Sequence, residues 1–270
     1  ASTFIHQCLS DHPDVFMPKY EIPFFESPDY NDGDINEFFR LFFHREEKLL
    51  GFKRPSYIGK AEVPKRIHTH LPNVKLIAVL RNPVDRIISA YFHYIKYGFI
   101  PCRTIEEGMQ NILNGDYKAK YPRSNEILEF GFYYRYLRLY FQYFNKKNIL
   151  ILFHEDIVQD PVKNIRLVYD FLDIRNDFIA PSINTRPQRV MYSIPRLKVL
   201  RIANYFLYDY SSDRTRLKRK RGNLFIEFLY MLIVFFDRVI SLIYKNRKPV
   251  FSKILKKKIL GVYLQDIILL

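Results

Sequence analysis

The chain has 270 residues, 48% of them hydrophobic, enough to bury one sizeable core as one domain with an appendage. Its two cysteines, Cys8 and Cys102, form neither a CxxC motif nor a cysteine/histidine cluster, which excludes a disulfide framework and a zinc site. The net charge of +15 is uneven: Arg196 to Lys258 holds 17 Lys/Arg against 4 Asp/Glu, so a basic segment follows a nearly neutral body.

The opening ASTFIHQCLSD has helical spacing over 3–11. Ser2 and Thr3 stand at its foot, where free backbone N–H groups and small hydroxyls can hold an anion, although Ser and Thr there also serve simply as caps. KYEIPFFES (19–27) then sets Glu21 among Ile22, Pro23, Phe24 and Phe25, an apolar neighbourhood that would suit a carboxylate to accept a proton. The alternative is a rim residue paired with a lysine. A helix is expected over 35–43 and a short strand at LLGF (49–52).

VKLIAVL (74–80) and NILILF (148–153) read as buried parallel strands: short, β-branched and bounded by Asn, Pro and charge. Helical patterns fill 85–97, 105–113, 126–144 and 161–172, and the alternation gives an α/β layer fold with a mostly parallel sheet. Ligands of such sheets collect at the carboxyl ends of strands, where Arg81 lies. Asn82-Pro83 stops the strand, Asp85 can cap the next helix, and Ser89 falls in its first turns, so Arg81 and Ser89 could share one phosphate. Alternatively, Arg81 braces the junction by pairing with Asp85. The aromatic run 126–144 suits core filling better than sugar stacking.

Past Pro181 the pattern becomes basic and helical, which places a boundary at about 180–195. The most apolar stretch, Asn223 to Tyr244, is uncharged without interruption only from Phe228 to Phe236. A bilayer span takes about 20 apolar residues, so a buried or interfacial helix is the expectation. Anionic membrane or polyanionic glycan suits the charge of 196–258; solvated helices are the other reading, and no nucleic-acid motif is present.

Four landmarks in order, ASTF…LSDHPDVFMPKYEIPFF, GFKRPSYI, VKLIAVLRNPVDRIISAYFH and NILILFHEDIVQDP, resemble the PAPS-dependent sulfotransferases. The likeness is nearest to the carbohydrate, heparan-sulfate-like branch and its bacterial relatives, which carry Lys-x-Glu-x-x-Phe-Phe. It covers roughly residues 1–175, with a looser match at 248–267. It implies a P-loop-like three-layer fold with a central mostly parallel sheet, plus a basic helical C-terminal appendage. It also implies that 3′-phosphoadenosine 5′-phosphosulfate (PAPS) is the donor and PAP the product, with no metal required. Ser2 and Thr3 match the end of the phosphosulfate loop, Arg81 and Ser89 the 3′-phosphate ligands, Glu21 the catalytic base, and Lys53 a lysine near the transferred group. His12, His93 and His154 are weaker candidates for a base, because another branch of the family uses histidine.

The sequence departs from the family at two positions: Phe52 stands where an acid usually precedes the lysine, and Arg54 where a small hydroxyl follows it. The chain opens at Ala1, so the loop lysine and first strand of the family would lie upstream. The expected division is a core at 1–185, a basic appendage at 186–247 and a returning helix at 248–270. The expected activity is sulfuryl transfer to a hydroxyl or amine of a carbohydrate or glycolipid. The alternative is an inactive relative whose basic region binds anionic membrane or polyanionic glycan. No N-x-S/T sequon is present. The expected location is the cytoplasm, with peripheral membrane contact, or the Golgi lumen in a eukaryote.

Overall fold

The computed structural model describes residues 2–185, 190–220 and 224–270. In chain order the elements begin α1 (Ser2–Asp11), β1 (Val15–Phe16), α2 (Ile35–Arg40), β2 (Leu49–Leu50), α3 (Val63–His70), β3 (Leu76–Leu80), α4 (Pro83–Lys96), α5 (Ile105–Asn114) and α6 (Glu126–Glu129). They continue with α7 (Tyr133–Tyr143), β4 (Ile149–Phe153), α8 (His154–Gln159), α9 (Pro161–Leu172), α10 (Ile194–Leu207), β5 (Tyr208–Tyr210), β6 (Leu217–Arg219), α11 (Leu224–Ile243) and α12 (Lys253–Leu269). Two compact units interleave along the chain: Ala1–Asn82 with Phe132–Gln188 and Asp266–Leu270, and Pro83–Gly131 with Arg189–Gln265.

The first unit is built on parallel strands, as the two apolar runs predict. β3 pairs with β4 from Leu76↔Ile149 to Leu80↔Phe153, and β1 pairs with β2 at Val15↔Leu49. Because side chains alternate across a strand, Ile77, Val79, Leu150 and Leu152 pack with Phe4, Cys8, Val168 and Tyr169 of α1 and α9. Their neighbours Leu76, Ala78, Ile149 and Ile151 face the opposite way, toward clusters built on α3 and α7. The result is helices on both faces of a parallel sheet, the layering that apolar strands require. β1, only two residues long, gives no periodic signal in the sequence.

The helix expected over 126–144 is broken. α6 ends at Glu129 and α7 begins at Tyr133, with Gly131 between them. A Cβ at Gly131 would lie 2.7 Å from the Tyr263 hydroxyl, which donates to the Leu128 carbonyl at 2.7 Å. Close approach, rather than helix propensity, sets this residue. α7 then restarts on the Asp266 carboxylate, which accepts from the Tyr134 and Arg135 N–H groups at 2.9 Å each.

In the second unit the basic segment is helical at α10 and α11, and an antiparallel hairpin, β5–β6, stands between them. Asn204 donates to the Lys96 carbonyl at 2.6 Å, and Tyr210 to that of Tyr97 at 2.9 Å, tying α10 and β5 to the end of α4. Asp85 does not precede α4; it lies within the first turn and pairs with Lys248. Among the described residues no helix is long and apolar enough to cross a membrane.

An aromatic cluster of Phe25, Phe38, Tyr57, Tyr140 and Phe144 holds the segment that carries Glu21. The buried Tyr57 hydroxyl donates to the Ile22 carbonyl at 2.5 Å and accepts from the Phe25 N–H at 3.1 Å. Desolvation raises its pKa well above the usual tyrosine range, so it stays a donor. Tyr57→Phe leaves both backbone groups buried and unpaired, and should lower stability in urea unfolding by about 2 kcal/mol or more. A loss below about 0.5 kcal/mol would show that this bracing is dispensable.

Candidate active site

Two segments cross next to the foot of α1. The first runs from Glu21 into the short turn of Phe24–Glu26, and the second leaves β2 as Gly51-Phe52-Lys53-Arg54. The Ile22 N–H donates to the Lys53 carbonyl at 3.3 Å, which sets the two in register. Their side chains then form one line of alternating charge. Thr3 Oγ1 accepts from Lys53 Nζ at 3.2 Å, and Lys53 Nζ lies 3.1 Å from Glu21 Oε1. Arg54 Nη1 donates to Glu21 Oε2 at 3.2 Å, while its Nε donates to Glu26 Oε1 at 2.7 Å. Arg54 Nη2 reaches the same Glu26 oxygen, and the Ser56 hydroxyl donates to Glu26 Oε2 at 2.5 Å.

The structure therefore brings Thr3, Glu21 and Lys53 together, with Ser2 next to Thr3 at the first residue of α1. Glu21 is not in the apolar setting that its neighbours suggest: Phe25 turns into the core, whereas the Glu21 side chain is 41% exposed between two cations. Lys53 and Glu26, at 16% and 11%, are the sheltered ends of the line. Arg54, Glu26 and Ser56 escape prediction, since nothing in the spacing of 26 and 54 announces a contact across 28 residues.

Arg81 follows β3 at its carboxyl end. Its backbone N–H donates to the Tyr133 hydroxyl at 3.3 Å, and that of Asn82 to Glu155 Oε1 at 3.0 Å. The junction is thus braced from α7 and α8. Ser89, half-buried on α4, belongs to the second unit.

The histidines divide by environment. His12 is buried, with Nε2 donating to the Arg175 carbonyl at 3.0 Å and Nδ1 accepting from the Asp14 N–H at 3.1 Å, so both ring nitrogens are spent on backbone. His93 lies on α4 with its ring 4.8 Å from that of Tyr97, and His154 opens α8. His6, which no motif singles out, sits on α1 with Nε2 donating to the Pro18 carbonyl at 3.1 Å. Burial lowers its pKa, and Lys53 nearby adds to the effect, so it is neutral at pH 7. Burial pushes the Cys8 thiol up to about 12, so it is a core side chain.

A family model described as sulfotransferase domain matches residues 3–221. The human bifunctional heparan sulfate N-deacetylase/N-sulfotransferase 2 is 29% identical over 187 residues, which is 64% of this chain and 21% of that protein. Human heparan sulfate glucosamine 3-O-sulfotransferase 6 is 31% identical over 127 residues, 46% of this chain and 34% of that protein. The chain therefore spans a fifth to a third of the length of these curated relatives. The crystal structure of a sulfotransferase from Alicyclobacillus acidocaldarius superposes with a TM-score of 0.60 at 22% identity, covering 76% of this chain and 86% of that one. That likeness establishes the fold.

Arg54 is the joint of the charge line, and its removal strands Glu26. Arg54→Met should destabilise the protein by about 2–3 kcal/mol in urea unfolding, because a sheltered carboxylate loses its cation. Adding Glu26→Leu should restore at least half of that loss. A double variant no more stable than the single one would show that the pair does not carry the effect.

Proposed function

The chain belongs to the sulfotransferase family, and from that premise we infer that it transfers a sulfuryl group from PAPS to a hydroxyl or amine of a carbohydrate or glycolipid acceptor. The observation that carries this reading is the contact of Lys53 with both Thr3 and Glu21, which sets an anion-binding group and a proton acceptor on either side of one cation.

The donor set suits a phosphosulfate. The first N–H groups of α1, the hydroxyls of Ser2 and Thr3 and the Lys53 ammonium are all donors, and they gather at the positive end of a helix. Arg81 is assigned to the 3′-phosphate; Ser89, the family's second ligand for that group, is carried over on the motif alone. Bound PAPS supplies an activated sulfuryl group and leaves as PAP.

The remaining chemistry belongs to the chain. Each carboxylate oxygen has two acceptor sites, so the contacts of Glu21 with Lys53 and Arg54 leave room for an acceptor O–H or N–H. Glu21 takes that proton as the acceptor attacks. Lys53 offsets negative charge that develops as the bond to the leaving group lengthens. Arg54 and the Ile22–Lys53 backbone bond fix the direction in which Glu21 points. Carbohydrate is favoured as acceptor because the matched relatives are heparan sulfate enzymes and the Lys-x-Glu-x-x-Phe-Phe segment is their branch's mark.

Sulfur-labelled PAPS and a panel of glycans and glycolipids test the reading directly: label should pass to at least one acceptor class. Glu21→Gln keeps shape and should bind PAP normally while transfer falls by about 100-fold or more. Near-normal turnover in that variant would remove Glu21 from the role of base. Binding of PAP with no transfer to any acceptor would favour the inactive, binding-only alternative.

Arg81→Ala should weaken PAP binding by about 2 kcal/mol, the worth of a charge-assisted contact to phosphate. The loss should largely vanish for adenosine 5′-phosphate, which lacks the 3′ group. Equal losses for both nucleotides in calorimetry would make Arg81 a brace of its junction only.

A further inference from the structure

α11 is apolar on both of its faces. At about 100° per residue, Ile226, Leu229, Ile233, Asp237 and Ile240 fall on one stripe, and Leu224, Phe228, Met231, Phe235, Val239 and Leu242 on the opposite one. The first stripe faces α10, and its most buried member is the carboxylate: Asp237 accepts from Arg196 Nε at 2.8 Å and from Nη2 at 2.6 Å. The second stripe is outside. Leu224 is 92% exposed, Met231 61%, Phe235 60% and Leu242 79%. An ordinary surface helix has a single apolar stripe, turned inward, and a polar outer face; here the outer face is apolar as well.

A contiguous apolar stripe of this length requires a covering phase or partner. The residues around it decide which. Lys218 and Arg219 on β6, Arg214 and Arg216 in the hairpin turn, and Lys245 and Arg247 beyond the end of α11 are all exposed. The whole segment from Arg196 to Lys258 carries +13 of the chain's +15. A second copy would bring two such segments together, like charge on like. A polyanionic glycan or nucleic acid would use the cations and leave the Leu, Phe and Met side chains in water. An anionic bilayer satisfies both at once, with acyl chains for the stripe and headgroups for the cations.

We propose that α11 lies in the interface of an anionic lipid bilayer, with its Leu224–Leu242 stripe buried among acyl chains and the β5–β6 hairpin cations on the headgroups. Glu227, Asp237 and Arg238 interrupt the helix, so it rests in the surface plane rather than crossing it. The placement rests on the second unit alone and is independent of the donor chemistry.

The chain contains no tryptophan, so one introduced residue becomes a clean reporter. Phe235→Trp should show a blue-shifted emission with phosphatidylcholine vesicles containing about 30% phosphatidylserine, and quenching by lipids brominated on the acyl chain. Sedimentation with the same vesicles should capture the wild-type chain, less so as salt rises from about 50 to 500 mM. The exposed double substitution Met231→Asp/Leu242→Asp should weaken capture by about ten-fold or more with an unchanged far-ultraviolet spectrum. Lysine-to-glutamine changes at Lys218 and Lys245 should weaken it in proportion to the acidic lipid content. The proposal is overturned if acidic vesicles capture nothing at low salt, or if the introduced tryptophan stays unquenched. It is equally overturned if the wild type is a dimer that the aspartates make monomeric, which would assign the stripe to a second copy, or if capture by a sulfated glycan survives in the absence of vesicle binding.

Discussion

The site depends on one hydroxyl. Tyr57 sits in the second crossing segment and grips the first on either side of Pro23-Phe24, through the Ile22 carbonyl and the Phe25 N–H. Tyr140 in α7 in turn donates to the Tyr57 carbonyl at 2.8 Å, so the layer beneath the sheet holds the tyrosine that holds the turn. Phe25, fully buried against Phe38, Phe52 and Tyr57, fixes which way the turn faces. Glu21 is one residue before this anchor and has little freedom except in its own side chain. An exposed carboxylate thus obtains a defined position from a buried core.

What the core does for the backbone, the charge line does for the side chains. Glu26 is sheltered and would be costly alone; Arg54 and Ser56 satisfy it, and the guanidinium that does so has one nitrogen left for Glu21. Arg is suited to this because its fork is rigid, so a contact at Nε and Nη2 aims Nη1. A lysine there would supply charge without direction. Phe52 and Arg54 are best read together: where the family pattern has an acid and a small hydroxyl, this chain has an aromatic packed on Phe25 and Phe38 and a cation that braces Glu21.

The parts of this structure legible in the sequence are those set by local pattern. Strands 74–80 and 148–153 announce themselves because buried parallel strands are apolar throughout, and α1, α4, α5 and α9 because amphipathic spacing persists for about three turns or more. The break at Gly131 is set by the Tyr263 hydroxyl, far away in sequence, and no window around 126–144 contains that fact. The same reason hides the Arg54–Glu26 pair and Asp266 at the head of α7. Glu21 is legible as a residue and illegible as an environment: its aromatic neighbours in sequence turn inward, and its neighbours in space are Lys53 and Arg54.

The two units treat charge by one rule and arrive at opposite surfaces. In the first, the Arg54–Glu26 pair is sheltered and the line it anchors carries the exposed Glu21 carboxylate. In the second, the Arg196–Asp237 pair is sheltered too, in two-pronged geometry, but here it takes an inward position on α11 that an aliphatic side chain would ordinarily fill. A buried ion pair adds little net stability over a well-packed hydrophobic pair, since desolvation offsets most of the attraction. Its value lies in orientation. With Asp237 bound to α10, the helix cannot roll to bring Leu224, Phe228, Met231 and Leu242 inward without leaving Arg196 and Asp237 unpaired and turning Ile226, Leu229, Ile233 and Ile240 outward in exchange. The outer apolar stripe is therefore held outward by the ion pair together with the aliphatic row that faces α10. That is the behaviour expected of a surface whose partner is apolar, and it explains why a 20-residue helix rich in Phe, Leu and Ile contributes so few side chains to the core of its own unit.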